Sequence, residues 1–462
     1  MSFFPGRKCI AILSSCMLIA NALNAQLPNL SLQSLITAAQ NNLPLLKEKQ
    51  SYISASTALV KDVKNSFLPQ LKVSDQLNVG TDNSIAGSYL PIGTTISSSA
   101  GVRNDNIYQA ASGNFAVFYG EYDLVTFGLN NARLANAKAL TDLSDADLQQ
   151  ELYNVKWQVA KLYFELLRTQ YRAAADRQNM YRYDSIYVVI RALTSSGIKA
   201  GSDSSLAKAE LSKAKITYNQ SIGRITQLQQ QLSFYTGIDA RAIVTDTMED
   251  HFSIRPLYQN FIPDTLHHPL LEYYQRKKDL ATSYDQVIRH SYLPKIILAA
   301  AGWGRGSSIQ YNDKYESLTS GIGYQKLNYD VGIAVTYNLF NGLYKRDKLL
   351  INDYELRADE FALQQKKQVL ASASLQADDA LQTTEANLNE LPVQLKSAQD
   401  TYQQKLAQYK AGIISLIDLT NASFVLYRSQ TDYIETVNDW YQAMLDKAAA
   451  TGNLDQFVQS IK

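Results

Sequence analysis

The sequence predicts a mainly α-helical fold with a β-barrel section, built from two copies of one structural unit. Three observations support this prediction. Landmark motifs recur at fixed displacements along the 462 residues, two long proline-poor runs carry apolar residues three and four positions apart, and two pairs of short segments alternate with a period of two. The segments have the same order in both halves, so each half is expected to contain the same helix, strands and helical hairpin.

The N-terminal segment has the composition of an export signal. Arg7 and Lys8 precede an apolar run, and small residues follow as far as Ala25. We therefore assign residues 1–25 to a signal peptide. Cys16 ends a Leu-Ser-Ser-Cys sequence that also fits a lipidation site, but the apolar run before it is short and ordinary cleavage is favoured. Both cysteines lie in this segment, so the cleaved chain is expected to have no disulfide and no cysteine metal site.

Composition narrows the function classes. Hydrophobic residues make up 46% of the chain and charged residues 19%, which predicts a sizeable packed core. The 44 basic and 43 acidic residues nearly balance, which gives no electrostatic reason to bind nucleic acid. After the signal segment, no apolar stretch reaches the ~20 residues of a membrane-spanning helix, so the exported chain is either soluble or a membrane β-barrel.

The internal repeat is visible in paired landmarks. The PLL sequence of residues 44–46 recurs at 269–271, a displacement of 225 residues, and the YDL sequence of residues 122–124 corresponds to YNL at 337–339, a displacement of 215. Displacements that stay constant over such distant landmarks indicate two copies of one unit. The first copy then carries ten extra residues.

Two alternating segments in each copy predict β-strands. They are residues 71–80 and 114–127 in the first copy, and 295–306 and 329–341 in the second. Strands of about ten residues suit a tilted transmembrane β-strand. Four strands cannot close a barrel, and open strand edges find no hydrogen-bond partners in lipid, so several chains must contribute to one barrel.

A long helical run with a sharp interruption follows each pair of strands. Runs of 66 residues begin at Leu129 and Leu343, and an unbroken helix of that length would span about 100 Å. A second helical run follows each of them after a Gly-Ile pair, at Gly197 and at Gly412. Because glycine supplies the left-handed conformation that ends a helix, each pair is predicted to be the tip of an antiparallel helical hairpin.

Several motifs together carry a resemblance to a known family. They are LSLQSLITAAQNNLPLL near the start, FLPQL and YDLVTFG around the first two strands, YNLFNG at the fourth strand, and YKAGIISLIDLTNA in the second hairpin. In their order, duplication and spacing the chain resembles the TolC-type outer membrane efflux proteins over essentially its whole mature length. The resemblance implies a homotrimer with a twelve-stranded barrel in outer membrane lipid and a helical tunnel in the periplasm.

The resemblance also implies a function and partners. The chain would be the outer membrane channel of a tripartite efflux or type I secretion system, with a periplasmic adaptor (membrane fusion) protein and an inner membrane transporter as partners. Conduction through such a channel is passive. No enzyme activity, cofactor, metal or nucleic acid is expected.

The resemblance places the functional residues at the hairpin tips. The tips dock the adaptor in the family, and by position the docking residues are Gly197, Ile198, Gly412 and Ile413. Polar residues beside the tips close the pore, and by position the gate residues are Asp418, Tyr409, Asn421 and, in the first hairpin, Asp203. The family often has a second acid where this chain has Asn421, and an arginine where it has Ile414. Three copies would bring up to six carboxylates to the mouth, which predicts a preference for cations.

These assignments divide the chain into five segments. They are the signal peptide 1–25, the first repeat 26–235 with its tip at 197–203, an equatorial linker 236–268, the second repeat 269–450 with its tip at 412–418, and a C-terminal equatorial tail 451–462. The resemblance implies that the linker and the tail form a belt around the tunnel.

Other interpretations of single residues stay open. Asp203 and Asp418 also fit as plain helix-start residues, where a carboxylate is favoured. Six tyrosines fit the aromatic girdle of a barrel but are equally ordinary in exposed loops: Tyr89, Tyr108, Tyr119, Tyr311, Tyr315 and Tyr324. The glycine-rich sequence 302–306 is expected to be a strand or turn, since no phosphate-binding helix follows it. His267 and His268 are expected to be solvated loop residues.

The alternative function is a secreted or surface-attached coiled-coil scaffold without a channel. A scaffold explains the long helices but not the alternating strands at matched positions. An enzyme is less favoured, because no carboxylate pair, metal cluster or cofactor loop has a convincing spacing. Drugs, metals and proteins remain equally open as transported substrates.

Overall fold

The computed structural model describes residues 30–84, 102–245 and 268–461. The predicted signal peptide with Cys16, Tyr89, His267 and most of the predicted linker lie outside the described residues. The described helices are α1 (Leu32–Asn42), α2 (Pro44–Asn65), α3 (Leu129–Ser195), α4 (Gly201–Thr236), α5 (Pro269–Ser291), α6 (Asn341–Lys410), α7 (Leu416–Thr451) and α8 (Leu454–Ser460). The strands are β1 (Gln70–Gly80), β2 (Ala111–Val125), β3 (Lys295–Ser307) and β4 (Lys326–Thr336).

The predicted mainly helical fold with a four-stranded β section is confirmed. None of the helices in the described ranges is both long enough and apolar enough to cross a membrane. β4 ends at Thr336, earlier than the alternation predicts, because the Asn338 side chain accepts from the Phe340 N–H at 2.9 Å and turns the backbone into α6. The glycine-rich sequence 302–306 lies within β3, as expected.

The chain divides into two compact units. The helical unit comprises Met1–Ile53, Leu143–Arg276 and Glu360–Lys462, and the β unit comprises Ser54–Asp142 and Lys277–Asp359. Both units draw on both halves of the sequence. The repeats are therefore interleaved, because strands from the two halves pair in one sheet and helices from the two halves share one core.

Two apolar clusters form the core of the helical unit. The first cluster joins α1, α8, the segment of α3 around Val159 and the segment of α7 around Leu445. The second, which we call the tip cluster, joins α3, α4, α6 and α7 next to the hairpin ends and includes Tyr183, Ile190 and Leu419. Both clusters follow from the apolar residues at three and four positions along these helices.

Buried polar residues separate the two apolar clusters along α3 and α7, and we call them the polar layer. Its members are Thr169, Asp176, Asn179, Ser221, Ser429 and Thr431. Asp176 is only 1% exposed, and its carboxylate accepts from Ser221 Oγ at 2.5 Å and from the Tyr427 hydroxyl at 2.6 Å. These bonds connect α3 with α4 and with α7, so they join the two hairpins. A buried carboxylate is tolerated only with such partners.

The β unit holds one antiparallel sheet in the order β1-β2-β3-β4. Its two halves come from different repeats, and β2 pairs with β3 over most of their length. The edge strands β1 and β4 are exposed along their whole length. Each edge strand therefore presents a row of backbone groups for pairing with another strand.

Candidate functional site: hairpin tips and membrane face

Both helical hairpins turn through the same backbone motif. At the first tip Gly197 has a φ of +71°, and the Ile198 N–H donates to Leu193 O at 3.0 Å. The second tip repeats this geometry at Gly412, with a φ of +73° and an equivalent bond from the following N–H of 2.9 Å. A bond to the carbonyl five positions earlier, beside a left-handed glycine, is a Schellman motif. The Gly-Ile pairs therefore end their helices by the same mechanism.

The apolar residues after the two glycines point away from the core. Ile198 is 68% exposed and Ile413 is 73% exposed. Neither glycine has a heavy atom within 4 Å of the position that a Cβ would occupy, so the positive φ, rather than crowding, is what requires glycine there. Both tips thus present a large apolar side chain on an uncrowded turn, which suits contact with another protein.

The helices that leave the two tips begin differently. Ser415 caps α7, and Asp418 completes a capping box: its carboxylate accepts from the Ser415 N–H at 3.1 Å and from the Ser415 hydroxyl at 2.6 Å. These hydrogen bonds lower the pKa of Asp418. Asp203 also lies in the first turn of its helix, but Ala200 at the cap offers no side-chain bond. The helix-start role is therefore visible for Asp418, whereas the Asp203 carboxylate has no side-chain hydrogen bond among the described residues.

A cation–π contact joins the two tips of one chain. Lys199 Nζ lies 5.7 Å from the centre of the Tyr409 ring. Burial, followed by the negative charge of Asp203, raises the pKa of Tyr409. The Tyr409 hydroxyl is buried and has no hydrogen-bond partner among the described residues. The structure therefore gathers Lys199, Tyr409 and Asp203 at one place, while the Asn421 side chain is exposed and forms no hydrogen bond to a described residue.

Sequence reasoning missed Lys199. Its position two residues after Gly197 placed it at the tip, but its partner lies on the other hairpin, more than 200 residues away in the chain. The charge itself was the available signal, because a lone cation beside a bend can reach across to the neighbouring tip.

The register of the sheet places the apolar residues of both edge strands on one face. Leu71 pairs with Gly120, Gly120 with Ala300, and Ala300 with Val331, so the odd-numbered residues of β1 and β4 share that face. Its exposed apolar side chains are Leu71, Val73, Leu77, Val79, Leu327, Tyr329, Val331, Ile333 and Val335. The opposite face carries Lys72, Ser74, Gln76, Asn78, Lys326, Asn328 and Asp330. An apolar outer face and a polar inner face are the pattern of a membrane barrel strand.

The apolar bands also reveal the tilt of the strands. The band of β1 is centred on Asp75 and that of β4 on Val331, yet the register connects Val331 with Leu71. The band therefore shifts by four residues, about 14 Å, across three strand spacings, which are also about 14 Å. A strand tilt of roughly 45° follows, at the upper end of the range for transmembrane barrels.

The connection between β3 and β4 folds back over this apolar face. The Ser112 hydroxyl donates to Leu318 O at 2.5 Å, the Asn114 amide donates to Ile322 O at 2.8 Å, and the Tyr324 hydroxyl donates to Asp75 at 3.0 Å. Three polar side chains on an otherwise apolar face thus have partners in the connection. Glycine is required at position 306, since a Cβ there would collide with backbone oxygens of the connection.

The predicted tyrosine girdle separates into different environments. Tyr108 and Tyr311 are exposed. Tyr119 pairs with Lys72 in the register and lies on the polar face, where its hydroxyl donates to Glu121 at 3.0 Å. Tyr119 is therefore not part of an outward girdle, because alternation along β2 turns it to the other side of the sheet.

The prediction of a solvated His268 is wrong. His268 is 3% exposed; its Nδ1 accepts from the Leu270 N–H at 3.2 Å, and its Nε2 lies 3.0 Å from Ala449 O. The ring thus caps the start of α5 and the end of α7. Pro269 at the first helical position was the signal, because proline there marks the preceding residue as the cap. Within the described ranges, no group of His, Cys, Asp and Glu is placed to hold a metal ion.

The comparisons with solved structures identify the fold. The CmeC outer membrane channel of Campylobacter jejuni superposes with a TM-score of 0.75 at 14% identity, over 93% of this chain and 90% of that one. VceC of Vibrio cholerae gives a TM-score of 0.72 at 13% identity, over 91% and 96%. The open state of MtrE of Neisseria gonorrhoeae gives 0.69 at 15% identity, over 92% and 89%.

The comparisons of sequence identify the family. A comparison with curated protein sequences gives no significant match. A model of the outer membrane efflux protein family matches residues 35–238 and 267–453, which leaves only the N-terminal segment, the middle of the predicted linker and the C-terminal end unmatched. The chain therefore belongs to the outer membrane efflux protein family, and its location is the outer membrane.

Proposed function

We propose that the chain is the outer membrane channel of a tripartite efflux or type I secretion system. It conducts substrates to the outside from an inner membrane transporter and a periplasmic adaptor. The observation that carries the proposal is the pair of matching hairpin tips, at Gly197 and Gly412, which are joined by the contact between Lys199 and Tyr409. Two equivalent tips held side by side suit an entrance that a partner engages and opens.

The channel is a homotrimer in this proposal. The two edge strands of the sheet are exposed and carry apolar residues on one face, and unpaired strand edges are strongly unfavourable in lipid. Pairing β4 of one copy with β1 of the next removes every open edge. Three copies of a four-stranded sheet then give the twelve-stranded barrel of the proposal.

The tips supply the docking surface and the gate. Gly197, Ile198, Gly412 and Ile413 are the proposed adaptor-docking residues, and the exposure of the two isoleucines supports that role. Asp418, Tyr409, Asn421 and Asp203 are the proposed gate residues. Asp418 shares its carboxylate between its capping box and the pore mouth, and Lys199 supplies a cation between the hairpins in a chain that has Ile414 instead of arginine.

Conductance in planar lipid bilayers tests the channel and its closure. The purified protein should form long-lived channels with a mostly closed entrance. Lys199→Ala removes the contact between the tips and should raise the open fraction several-fold. Lys215→Ala, an equal loss of charge at an exposed position of α4, is the control and should leave the open fraction unchanged. A protein that never conducts would refute the channel proposal.

Ion selectivity tests the carboxylates at the mouth. Asp418→Asn should lower the preference for cations by removing three charges from a trimer. Asp145→Asn makes the same change at an exposed residue of α3, about 75 Å along the helix from the first tip. Equal selectivity in the wild type and in Asp418→Asn would count against the gate role of Asp418 and leave only its capping role.

The alternative of a secreted or surface-attached scaffold loses its support. The family match places the chain among outer membrane efflux proteins, and one sheet face is apolar enough to contact lipid. Extraction of isolated membranes with carbonate gives a direct check, since release of the protein would favour the scaffold.

A further inference from the structure

A groove runs along the outside of the tip cluster between the two hairpins. It has a volume of about 960 Å³ and lies between α3 and α6, reaching both tips. Along α3 it extends from Gln178 to Leu193, which corresponds to about 23 Å of helix. Exposed apolar side chains line it, including Val189 at 52% and Ile198 at 68% exposure. The groove therefore has the length and the apolar character to receive about four turns of a partner helix.

The polar groups of the groove are almost all hydrogen-bond donors. Arg182, Lys199 and Lys410 line it, and none of the described lining residues is an Asp or a Glu. Lys199 Nζ lies over the Tyr409 ring, and Arg182 donates to the uncharged side chains of Asn179 and Gln430. No carboxylate lies within ion-pair distance of these cations in the described part of the chain.

Two of the donors are left unused in the isolated chain. Arg182 Nε and the Tyr409 hydroxyl are both buried atoms without a hydrogen-bond partner among the described residues. A buried donor without an acceptor is costly, so an acceptor supplied by a partner would be stabilising at both places. Asp203 and Asp418, the acids of the proposed mouth, are not among the lining residues.

We infer that this groove binds an amphipathic helix that carries carboxylates beside its apolar stripe. The apolar stripe packs on Val189 and Ile198, and the carboxylates accept from Lys199, Lys410 and the unused donors. The inference rests on the proposed function, because the helix of such a partner would belong to the adaptor. It adds the chemistry of recognition, namely acidic residues on the adaptor side and basic residues on the side of this chain.

Synthetic peptides test this chemistry on the full-length protein in detergent. Three helical peptides of about 20 residues share one leucine stripe and differ only in the flanking residues, which are Glu, Gln or Lys. Fluorescence anisotropy should show the Glu peptide binding about tenfold more tightly than the Gln peptide, and this advantage should shrink as salt rises. Equal binding of the Glu and Gln peptides would overturn the inference, as would absence of binding because a second copy fills the groove.

Charge reversal locates the site. Lys199→Glu with Lys410→Glu should abolish the preference for the Glu peptide and favour the Lys peptide. The control, Lys213→Glu with Lys215→Glu, changes the net charge equally at exposed positions of α4 outside the groove, and it should keep the preference. Lys410→Gln alone, which leaves the contact with Tyr409 intact, should weaken the Glu peptide two- to threefold. An unchanged preference in the Lys199/Lys410 variant would refute the assignment.

Conductance of the same preparations separates this inference from the proposed function. A protein that conducts in bilayers but shows no preference for the Glu peptide refutes the groove inference and leaves the channel. A protein that prefers the Glu peptide but never conducts refutes the channel and leaves the groove as a helix-binding site.

Discussion

Tyr427→Phe removes one hydroxyl from the polar layer that joins the two hairpins. The hydroxyl donates to Asp176 at 2.6 Å, and the carboxylate is only 1% exposed, so water cannot readily replace the lost donor. The second carboxylate oxygen keeps its bond from Ser221. A hydrogen bond to a charged group contributes about 1.5–3 kcal/mol. We therefore expect the local opening free energy of this layer to fall by about 2 kcal/mol.

Native-state hydrogen exchange on the intact protein measures this change. A loss of about 2 kcal/mol corresponds to about 30-fold faster exchange of amides in α3 around Asp176 and in α7 around Tyr427. Amides of the first apolar cluster should keep their wild-type rates, since the layer opens locally.

Tyr433→Phe is the matched control. Its hydroxyl forms no hydrogen bond with a described residue, and its ring is half-buried on the same helix. It should change exchange rates by less than about twofold. Equal acceleration in Tyr433→Phe and Tyr427→Phe, or no acceleration in either, would refute the reasoning that the Asp176 hydrogen bond stabilises the layer.

Three further predictions concern other parts of the chain. Gly306→Ala should displace the β3–β4 connection and speed its cleavage by trypsin, whereas Gly332→Ala, with nothing within 4 Å of the new Cβ, should not. Ser415→Ala should weaken the start of α7 by about 1 kcal/mol, seen as about fivefold faster amide exchange there. The lowered pKa of Asp418 means that its contribution is present above the ordinary value of 3.8 and is lost as pH falls below it, so acid should loosen the same turn, and Asp418→Asn should abolish that dependence. Burial, then the bond to Asp176, raises the pKa of Tyr427, so its contribution is complete below pH ~10 and is lost at higher pH; a thermal melt in alkali should show this loss, and Tyr427→Phe should reduce it.

The long helices were predictable because their signal is local. Apolar residues recur at three and four positions throughout both runs, and the structure ends α3 at Ser195 and α6 at Lys410, close to the predicted ends. The bends at Gly197 and Gly412 were predictable for the same reason, since a positive φ selects glycine within a few residues of a helix end.

The contacts that make the candidate site were not predictable. Lys199 meets Tyr409 across two hairpins, and Arg182 reaches Gln430 on a different helix. His268 was expected in solvent, but α5 and α7 meet around it. Such contacts depend on how helices pack, and nothing in the neighbouring residues encodes the partner.

The sheet shows the same division. Alternation along each strand was enough to predict that β1 and β4 have one apolar and one polar side. Which sides coincide depends on pairing through β2 and β3, because a shift of one residue in either register would turn one apolar edge to the opposite face. The crossing of the β3–β4 connection to Asp75 likewise depends on that register.

By itself, the sequence determined the duplication, the export signal as an expectation, the helical hairpins with their glycine tips, and the alternating strands, because each of these depends on residues close together in the chain. Only the tertiary structure decided that both edge strands present their apolar residues on one face, that the two tips of a chain touch through Lys199 and Tyr409, and that a donor-lined groove lies beside them. Those features depend on register and helix packing, which place residues from distant parts of the chain together.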